Sequence, residues 1–255
     1  MSVDSPASIW LMTGAKGGCG ATLLTTSLAW ALAEQGRQAI VLDFDLLEGQ
    51  AAMHLCEANA GPTVDDALRA GDRLDATLLD TLLLPCGPRL RLLASPGPDG
   101  GGVQADAPAL GAGLLRLCTL AAEQADHVLV DLPMRTVLSG VADDLLERAD
   151  RRLLVAEPSL SAAYNARRCL QMFEERGSGV DEVVLNRCHR GDAMSVPDMH
   201  RALDRPGRER AWRMLPRADE AAAMAVHQGL AVGRVQPRDP LARALKAWAQ
   251  EVAAA

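Results

Sequence analysis

The sequence predicts an α/β protein: a doubly wound, mostly parallel sheet flanked by helices on both faces. Two observations support this prediction. Short apolar runs alternate with longer, helix-compatible segments along the 255 residues. The runs are also continuously hydrophobic, as strands buried on both faces are. We therefore expect one core and a single domain over residues 1–255.

The first unit is a strand, a glycine-rich loop and a helix. Residues 8–13 (SIWLMT) are an apolar strand, and 14–21 (GAKGGCGA) form the loop. A helix runs from Thr22 to about Gln35, with Gly36 as its C-cap. The next strand, 38–43, leads into an acidic stretch.

The same alternation continues to the end of the chain. Thr63, with Asp66 three residues later, has the form of a capping box at a helix start. The Gly- and Pro-rich stretch 95–107 predicts a flexible loop. Further strands are predicted at 90–94, 127–131, 151–156, 181–186 and 212–215. Further helices are predicted at 63–69, near 74–80, and at 108–125, 137–148, 159–176, 196–204, 217–229 and 239–252.

Composition restricts the function. A net charge of −7 and 3% aromatic residues argue against nucleic acid as a partner. Six scattered cysteines without a CxxC pair predict neither a zinc site nor a disulfide framework. No signal peptide or membrane span is apparent, so we expect a cytoplasmic protein.

The C-terminal helix has one apolar face, formed by Leu241, Leu245, Trp248 and Val252. Such a face is compatible with binding at a membrane surface. However, the spacing is also that of an ordinary core helix. We favour the packed helix, so that any membrane association would be indirect.

The loop from Gly14 to Thr22 has the composition of a phosphate-binding loop. Its glycines let backbone N–H groups approach an anion, and the following helix presents its N-terminus. Thr22 stands where such loops place a Mg²⁺ ligand. Two residues depart from the general pattern G-x-x-x-x-G-K-[ST] of such loops. Ala15 stands at the position of the first glycine, and Ala21 stands at the position of the usual lysine, whereas the lysine of this chain, Lys16, comes earlier. The alternative is a tight turn without a ligand.

Polar residues follow three other strands at their carboxyl ends. In an open parallel sheet these ends lie at one edge, so we expect the residues to lie near the glycine-rich loop. Asp45 follows the second strand, Asp131 ends HVLVD, and Asn186 ends DEVVLN. A carboxylate such as that of Asp131 suits Mg²⁺. Asp45 could instead cap a helix or loop, and Asp131 could close a strand by chance.

The K-G-G-x-G-x-T arrangement resembles the deviant P-loop (Walker A) of the MinD/ParA ATPases. The resemblance implies ATP and Mg²⁺ as cofactors, and a catalytic Lys16 that reaches the phosphates of a partner subunit. It assigns Asp45 to the attacking water and the Mg²⁺ shell, Asp131 to the Walker B acid, and Asn186 with its neighbour Arg187 to the adenine. The nucleotide-binding residues would also include Ala15, Lys16, Gly17, Gly18, Cys19, Gly20, Ala21 and Thr22, with Thr22, Asp45 and Asp131 at the metal.

Further stretches resemble the CpaE/TadZ group of tight-adherence pilus proteins. They include DFDLLEGQ, DALRAGDRLDATLL and PSLSAAYNARR. This resemblance implies an ATP-dependent homodimer that positions or assembles a type IV-like pilus with pilus or secretion proteins. Recruitment to the inner face of the cytoplasmic membrane or to a cell pole would follow. The receiver-like domain common in that group is not expected here.

Ala21 removes a cation that would neutralise the γ-phosphate, which can cost of order 10²–10³ in rate. We therefore expect ATP binding with slow or absent hydrolysis. The alternatives are a ParA-like DNA-partitioning or other positioning ATPase, a cellulose-synthesis accessory ATPase and a metal-centre chaperone. The charge argues against DNA partitioning. The absence of cysteine between Asp131 and Thr136 argues against a carrier of an iron–sulfur cluster.

Overall fold

The computed structural model describes residues 7–56, 61–97, 106–204 and 210–254. In this part of the chain, eight strands form one sheet. They are β1 (Ser8–Gly14), β2 (Ala39–Asp43), β3 (Leu84–Gly87), β4 (Leu90–Leu93), β5 (His127–Asp131), β6 (Arg151–Ala156), β7 (Glu182–Cys188) and β8 (Ala211–Pro216). Their order is β3-β4-β2-β5-β1-β6-β7-β8. Neighbouring strands are parallel except β3 and β4, which confirms the predicted mostly parallel sheet.

Helices cover both faces of the sheet. The described helices are α1 (Ala21–Glu34), α2 (Ala52–Leu55), α3 (Val64–Ala70), α4 (Ala76–Leu82), α5 (Ala107–Ala122), α6 (Met134–Leu138), α7 (Asp143–Arg148), α8 (Leu160–Glu175), α9 (Val196–Leu203), α10 (Asp219–Gln228), α11 (Val232–Val235) and α12 (Pro240–Ala253). A 3₁₀ turn at Gly71–Arg73 joins α3 to α4. No helix in the described ranges is long and apolar enough to cross a membrane.

The sheet separates two hydrophobic clusters. Successive side chains of a strand point to opposite faces, and β1 follows this rule. Ile9 and Leu11 belong to the cluster under α5, α7, α8 and α9. Trp10 and Met12 belong to the cluster under α1, α10, α11 and α12. Because both faces are covered, the sheet exposes its polar groups mainly at the strand ends.

The C-terminal helix packs into the second cluster, as the sequence predicts. Leu241, Leu245 and Trp248 are buried in α12, beside α1. Val252 is partly buried against the same cluster. The apolar face of this helix is therefore a core face.

Other elements differ from the prediction. The helix predicted at 137–148 is divided into α6 and α7, because Gly140 adopts a φ of +78° between them. The short elements α2, β3 and α11 were not predicted, since one turn or four residues leave no readable period. Most of the loop predicted at 95–107 lies outside the described residues.

Candidate functional site

The glycine-rich loop joins β1 to α1 and leaves the first amides of α1 without a side-chain cap. Gly20 precedes the helix with a φ of +92°, and its missing side chain offers no capping group. The Ala15 N–H donates to the carbonyl of Val155 at 2.8 Å, which fixes the start of the loop to β6. Uncapped N–H groups at a helix N-terminus attract an anion. The loop can therefore receive a phosphate.

Tight packing fixes the shape of the loop. A Cβ at Gly14 would lie 2.7 Å from Cys19 Sγ, and one at Gly20 would lie 2.6 Å from Asn186 Nδ2. Asn186 Nδ2 donates to the Cys19 carbonyl at 2.9 Å, and Asn186 Oδ1 accepts from the Arg187 N–H at 2.9 Å. Asn186 is buried, so its amide braces the loop from β7.

Two buried carboxylates, Asp43 and Asp131, lie next to each other at the carboxyl ends of neighbouring strands. Asp43 and Asp131 are register partners on the neighbouring strands β2 and β5. Burial raises the pKa of both carboxyls, the charge of Asp43 raises the pKa of Asp131 further, and the Thr22 hydroxyl lowers it by hydrogen bonding. Such a pair favours a bound proton or cation, because two unpaired carboxylates are costly at this depth.

Asp43 also organises the segment that follows β2. Its Oδ1 accepts from the Asp45 N–H at 3.1 Å, and its Oδ2 accepts from the Ala51 N–H at 3.0 Å. The Ser95 hydroxyl donates to the Asp45 carbonyl at 2.5 Å. The backbone around Asp45 is thus held from both β2 and the end of β4.

The Asp45 side chain is paired with Arg135, a residue that the sequence analysis did not single out. Arg135 lies near the start of α6, four residues after Asp131, and its guanidinium forms ion pairs with Asp45 and with Glu48, the latter at 2.9 Å. Asp45 Oδ1 additionally accepts from the Glu48 N–H at 2.9 Å. A cationic side chain from the start of α6 therefore stands beside Asp45.

Lys16 is paired with Glu157, a second residue that the sequence pattern does not single out. Lys16 Nζ lies 2.6 Å from Glu157 Oε1, and Arg187 Nη1 lies 3.6 Å from Glu157 Oε2. The hydrogen bond from Lys16 is the main cause that lowers the pKa of Glu157. Glu157 directly follows β6, so the rule that polar residues gather at strand ends could have found it.

One open cleft of about 1220 Å³ lies beside these groups. Its walls are the loop, the segments after β2 and β5, and the first two turns of α10. The cleft is lined by most of the predicted site residues, namely Lys16, Gly17, Gly18, Cys19, Gly20, Ala21, Thr22, Asp45, Asp131 and Arg187. Ala15 and Asn186 are buried behind the wall instead.

The cleft has opposing charges on its walls. Its lining includes three basic residues, Lys16, Arg135 and Arg187. It also includes four carboxylates, Asp45, Glu48, Asp131 and Asp219. Because the four carboxylates outnumber the three basic residues, a polyphosphate would enter most readily with a divalent cation. The exposed side chains of Leu47, Met53 and Val226 make part of the rim apolar.

No protein-family model and no curated protein matches the chain, but solved structures match its fold. The ParA family ATPase from Chlorobium tepidum TLS gives a TM-score of 0.83 at 24% identity, covering 95% of this chain and 98% of that chain. The septum site-determining protein MinD from Pyrococcus horikoshii OT3, complexed with Mg-ADP, gives 0.74 at 21% identity, covering 96% and 95%.

A third similar structure is the McdA–ATP complex from Cyanothece. It gives a TM-score of 0.73 at 16% identity and covers 98% of this chain and 97% of that chain. All three alignments extend over nearly the whole of both chains, while the identities are low. The chain therefore has the fold of the MinD and ParA P-loop ATPases.

Proposed function

We propose that the chain binds ATP with Mg²⁺ in the cleft between the glycine-rich loop and the Asp43–Asp131 pair. The observation that carries this proposal is the juxtaposition of an uncapped α1 N-terminus with buried carboxylates. The first site suits a phosphate and the second suits a hard cation. Thr22 lies between them and contacts Asp131.

We assign the phosphates, the Mg²⁺ ion and a water molecule to different residues of the cleft. The backbone amides of the loop would hold the phosphates, and Thr22 with Asp131 would hold Mg²⁺ directly or through water. Asp45 would orient a water molecule. When bound, Mg²⁺ supplies charge neutralisation at the phosphates, which matters more here because Ala21 provides no cation. We infer slow or absent hydrolysis from that position.

We further propose that ATP stabilises a homodimer through Lys16. A nucleotide that binds the dimer better than the monomer shifts the equilibrium towards the dimer. In the isolated chain Lys16 is held by Glu157. The pair is partly exposed, and ion pairs open to solvent are weak, roughly 0–1 kcal/mol. Lys16 can therefore leave Glu157 for a phosphate of the partner subunit at little cost.

The biological role that we propose is a positioning or assembly factor for a tight-adherence pilus. Its support is the likeness of three sequence stretches to the CpaE/TadZ group. The dimer would recruit pilus or secretion proteins at the cytoplasmic membrane or a cell pole. Tagged protein that co-purifies with pilus ATPase components would support this role. Co-purification with division or chromosome proteins, without pilus components, would contradict it.

Calorimetric titration tests nucleotide binding itself. We expect one ATP per chain, with tighter binding in Mg²⁺ than in EDTA. Thr22→Val removes the hydroxyl at constant shape and should weaken Mg²⁺-dependent binding by about tenfold or more. Thr119→Val is the matched control, because Thr119 is exposed on α5 away from the cleft. Equal affinity with and without Mg²⁺, or equal loss in both variants, would refute the assigned site.

A further inference from the structure

The thiols of Cys56 and Cys86 meet at the edge of the sheet. Their sulfur atoms lie 2.9 Å apart. Cys56 is the residue that directly follows α2, and Cys86 lies in the edge strand β3. A disulfide has an S–S distance of 2.03–2.05 Å. An approach of about 0.9 Å would therefore bring the two sulfurs to bonding distance.

The two thiols differ in their chemistry. The hydrogen bond with Cys86 lowers the pKa of Cys56, whereas that hydrogen bond and burial raise the pKa of Cys86. Cys86 Sγ also lies 3.6 Å from the Leu84 carbonyl. Cys56 is partly exposed and Cys86 is buried. Cys56 is therefore placed as the attacking thiolate, and Cys86 as the thiol that resolves the oxidised sulfur.

The other four cysteines, all within the described ranges, lack this arrangement. Burial raises the pKa of each of their thiols, which keeps them protonated. These residues are Cys19, Cys118, Cys169 and Cys188. Oxidation follows thiolate character and exposure. An oxidant should therefore react first at Cys56.

We propose that Cys56 and Cys86 form a reversible redox pair that closes to an intrachain disulfide in the presence of a peroxide. The Cys56 thiolate attacks one peroxide oxygen, the O–O bond breaks, and Cys56 becomes a sulfenic acid while hydroxide leaves. Cys86 sulfur then attacks Cys56 sulfur, the S–O bond breaks, and water leaves with the Cys86 proton. Two thiols are oxidised, and one hydrogen peroxide is reduced to two water molecules.

The disulfide would act on a wall of the cleft. The segment between β2 and Cys56 is anchored at Asp43, which accepts from the Ala51 N–H at 3.0 Å. Met53 and His54 of α2 line the cleft. A single turn such as α2 is not stable by itself. A covalent link from its last turn to β3 would therefore suppress local opening of this wall.

The test uses the full chain treated with hydrogen peroxide, without nucleotide, so that it is independent of the proposed ATP binding. Free thiols in denaturant should fall from six to four, and peptide mapping should find Cys56 linked to Cys86. Hydrogen exchange of the amides in 50–56 should slow by about threefold or more. The oxidised form should also melt about 5–10 °C higher, and dithiothreitol should reverse all these changes.

Variants make the assignment specific. Cys86→Ser and Cys56→Ser should each abolish the link and the slower exchange, and Cys118→Ser should retain both. Mapping of the unmodified chain needs no variant, so a poorly folding substitution leaves the test intact. Six remaining thiols, a link between other cysteines, or Cys56 oxidised to sulfinic acid with Cys86 still free would overturn the proposal.

Discussion

The Lys16 ammonium is held within its own chain by the Glu157 carboxylate at 2.6 Å. The other oxygen of the same carboxylate, Glu157 Oε2, forms an ion pair with Arg187. The Glu157 carboxylate therefore connects the glycine-rich loop to the end of β7. The proposed dimer requires the same lysine at the phosphates of the partner subunit. Glu157 and the partner's nucleotide therefore compete for one cation.

Substitution of Lys16 should abolish dimer formation. Lys16→Ala removes the cation that we place across the interface, and the monomer should stay folded because the lost ion pair is partly exposed. Sedimentation velocity with and without ATP·Mg²⁺ measures the effect. A dimer that persists in Lys16→Ala would contradict the cross-subunit role.

Removal of the competing carboxylate should have the opposite effect. Glu157→Gln releases Lys16, so ATP·Mg²⁺ should produce dimers at a roughly fivefold lower protein concentration, as expected if each of the two ion pairs broken in the dimer costs about 0.5 kcal/mol. Glu175→Gln on the exposed surface of α8 is the control. Weaker dimerisation of Glu157→Gln would mean that Glu157 positions Lys16 instead of restraining it.

A lysine at position 21 should raise turnover. Ala21 lines the cleft at the first residue of α1, where a cation would reach the phosphates. Ala21→Lys should increase phosphate release by about 10²-fold. Ala21→Met has a long side chain without charge and should leave the rate unchanged. If both variants behave alike, another group, such as Arg135, already supplies the charge.

Asn186 allows a test of two roles. The resemblance to the MinD/ParA ATPases implies that it contacts adenine, whereas the structure shows its amide bonded to the Cys19 carbonyl. If Asn186 acts through the loop, Asn186→Ala should weaken ATP and GTP binding by the same factor. It should also destabilise the fold by about 1–3 kcal/mol. Asn165→Ala on α8 is the control. A loss confined to ATP would favour the adenine contact.

The buried imidazole of His54 should lower stability in mild acid, whereas the buried carboxyls of Asp43 and Asp131, whose pKa values are raised, act in the opposite direction. The His54 side chain is buried without a partner for Nδ1, and burial lowers its pKa from 6.5 to about 4. The unfolded chain therefore takes up a proton first. The neutral His54 imidazole makes its full contribution to the free energy of unfolding above pH 6.5. As the pH falls towards 4, this contribution is lost, by up to about 3 kcal/mol.

Urea unfolding between pH 7.5 and 4.5 measures this contribution. Burial lowers the pKa of His127 as well, which adds a smaller slope in the same range. The difference from the unsubstituted chain isolates His54: His54→Gln should gain stability relative to that chain as the pH falls from 6.5 to 4.5, and His227→Gln on the exposed surface of α10 should not. A stability difference between His54→Gln and the unsubstituted chain that stays constant from pH 7.5 to 4.5 would contradict this role of His54.

Much of the fold could be predicted because its strands are uniformly apolar and its glycine loop has a recognisable composition. The strand-end rule places Lys16, Thr22, Asp45 and Asp131 in one region, and all four line the cleft. Their proposed roles at ATP and Mg²⁺ stay predictions. The same rule could have found Glu157.

Other features depend on distant contacts that have no period in the sequence. Arg135 meets Asp45 only because α6 begins directly beyond β5, and the two residues are far apart in the chain. Cys56 meets Cys86 through a four-residue helix and a short antiparallel strand, neither of which was predicted. The sequence pattern therefore does not predict this cysteine pair.

A crystal structure of the chain grown with ATP and Mg²⁺ tests the central claim most directly. The account predicts phosphates against the amides of residues 17–22, and a metal ion beside Thr22 and Asp131. A cleft that stays vacant at saturating nucleotide, or a nucleotide bound elsewhere on the molecule, would contradict it.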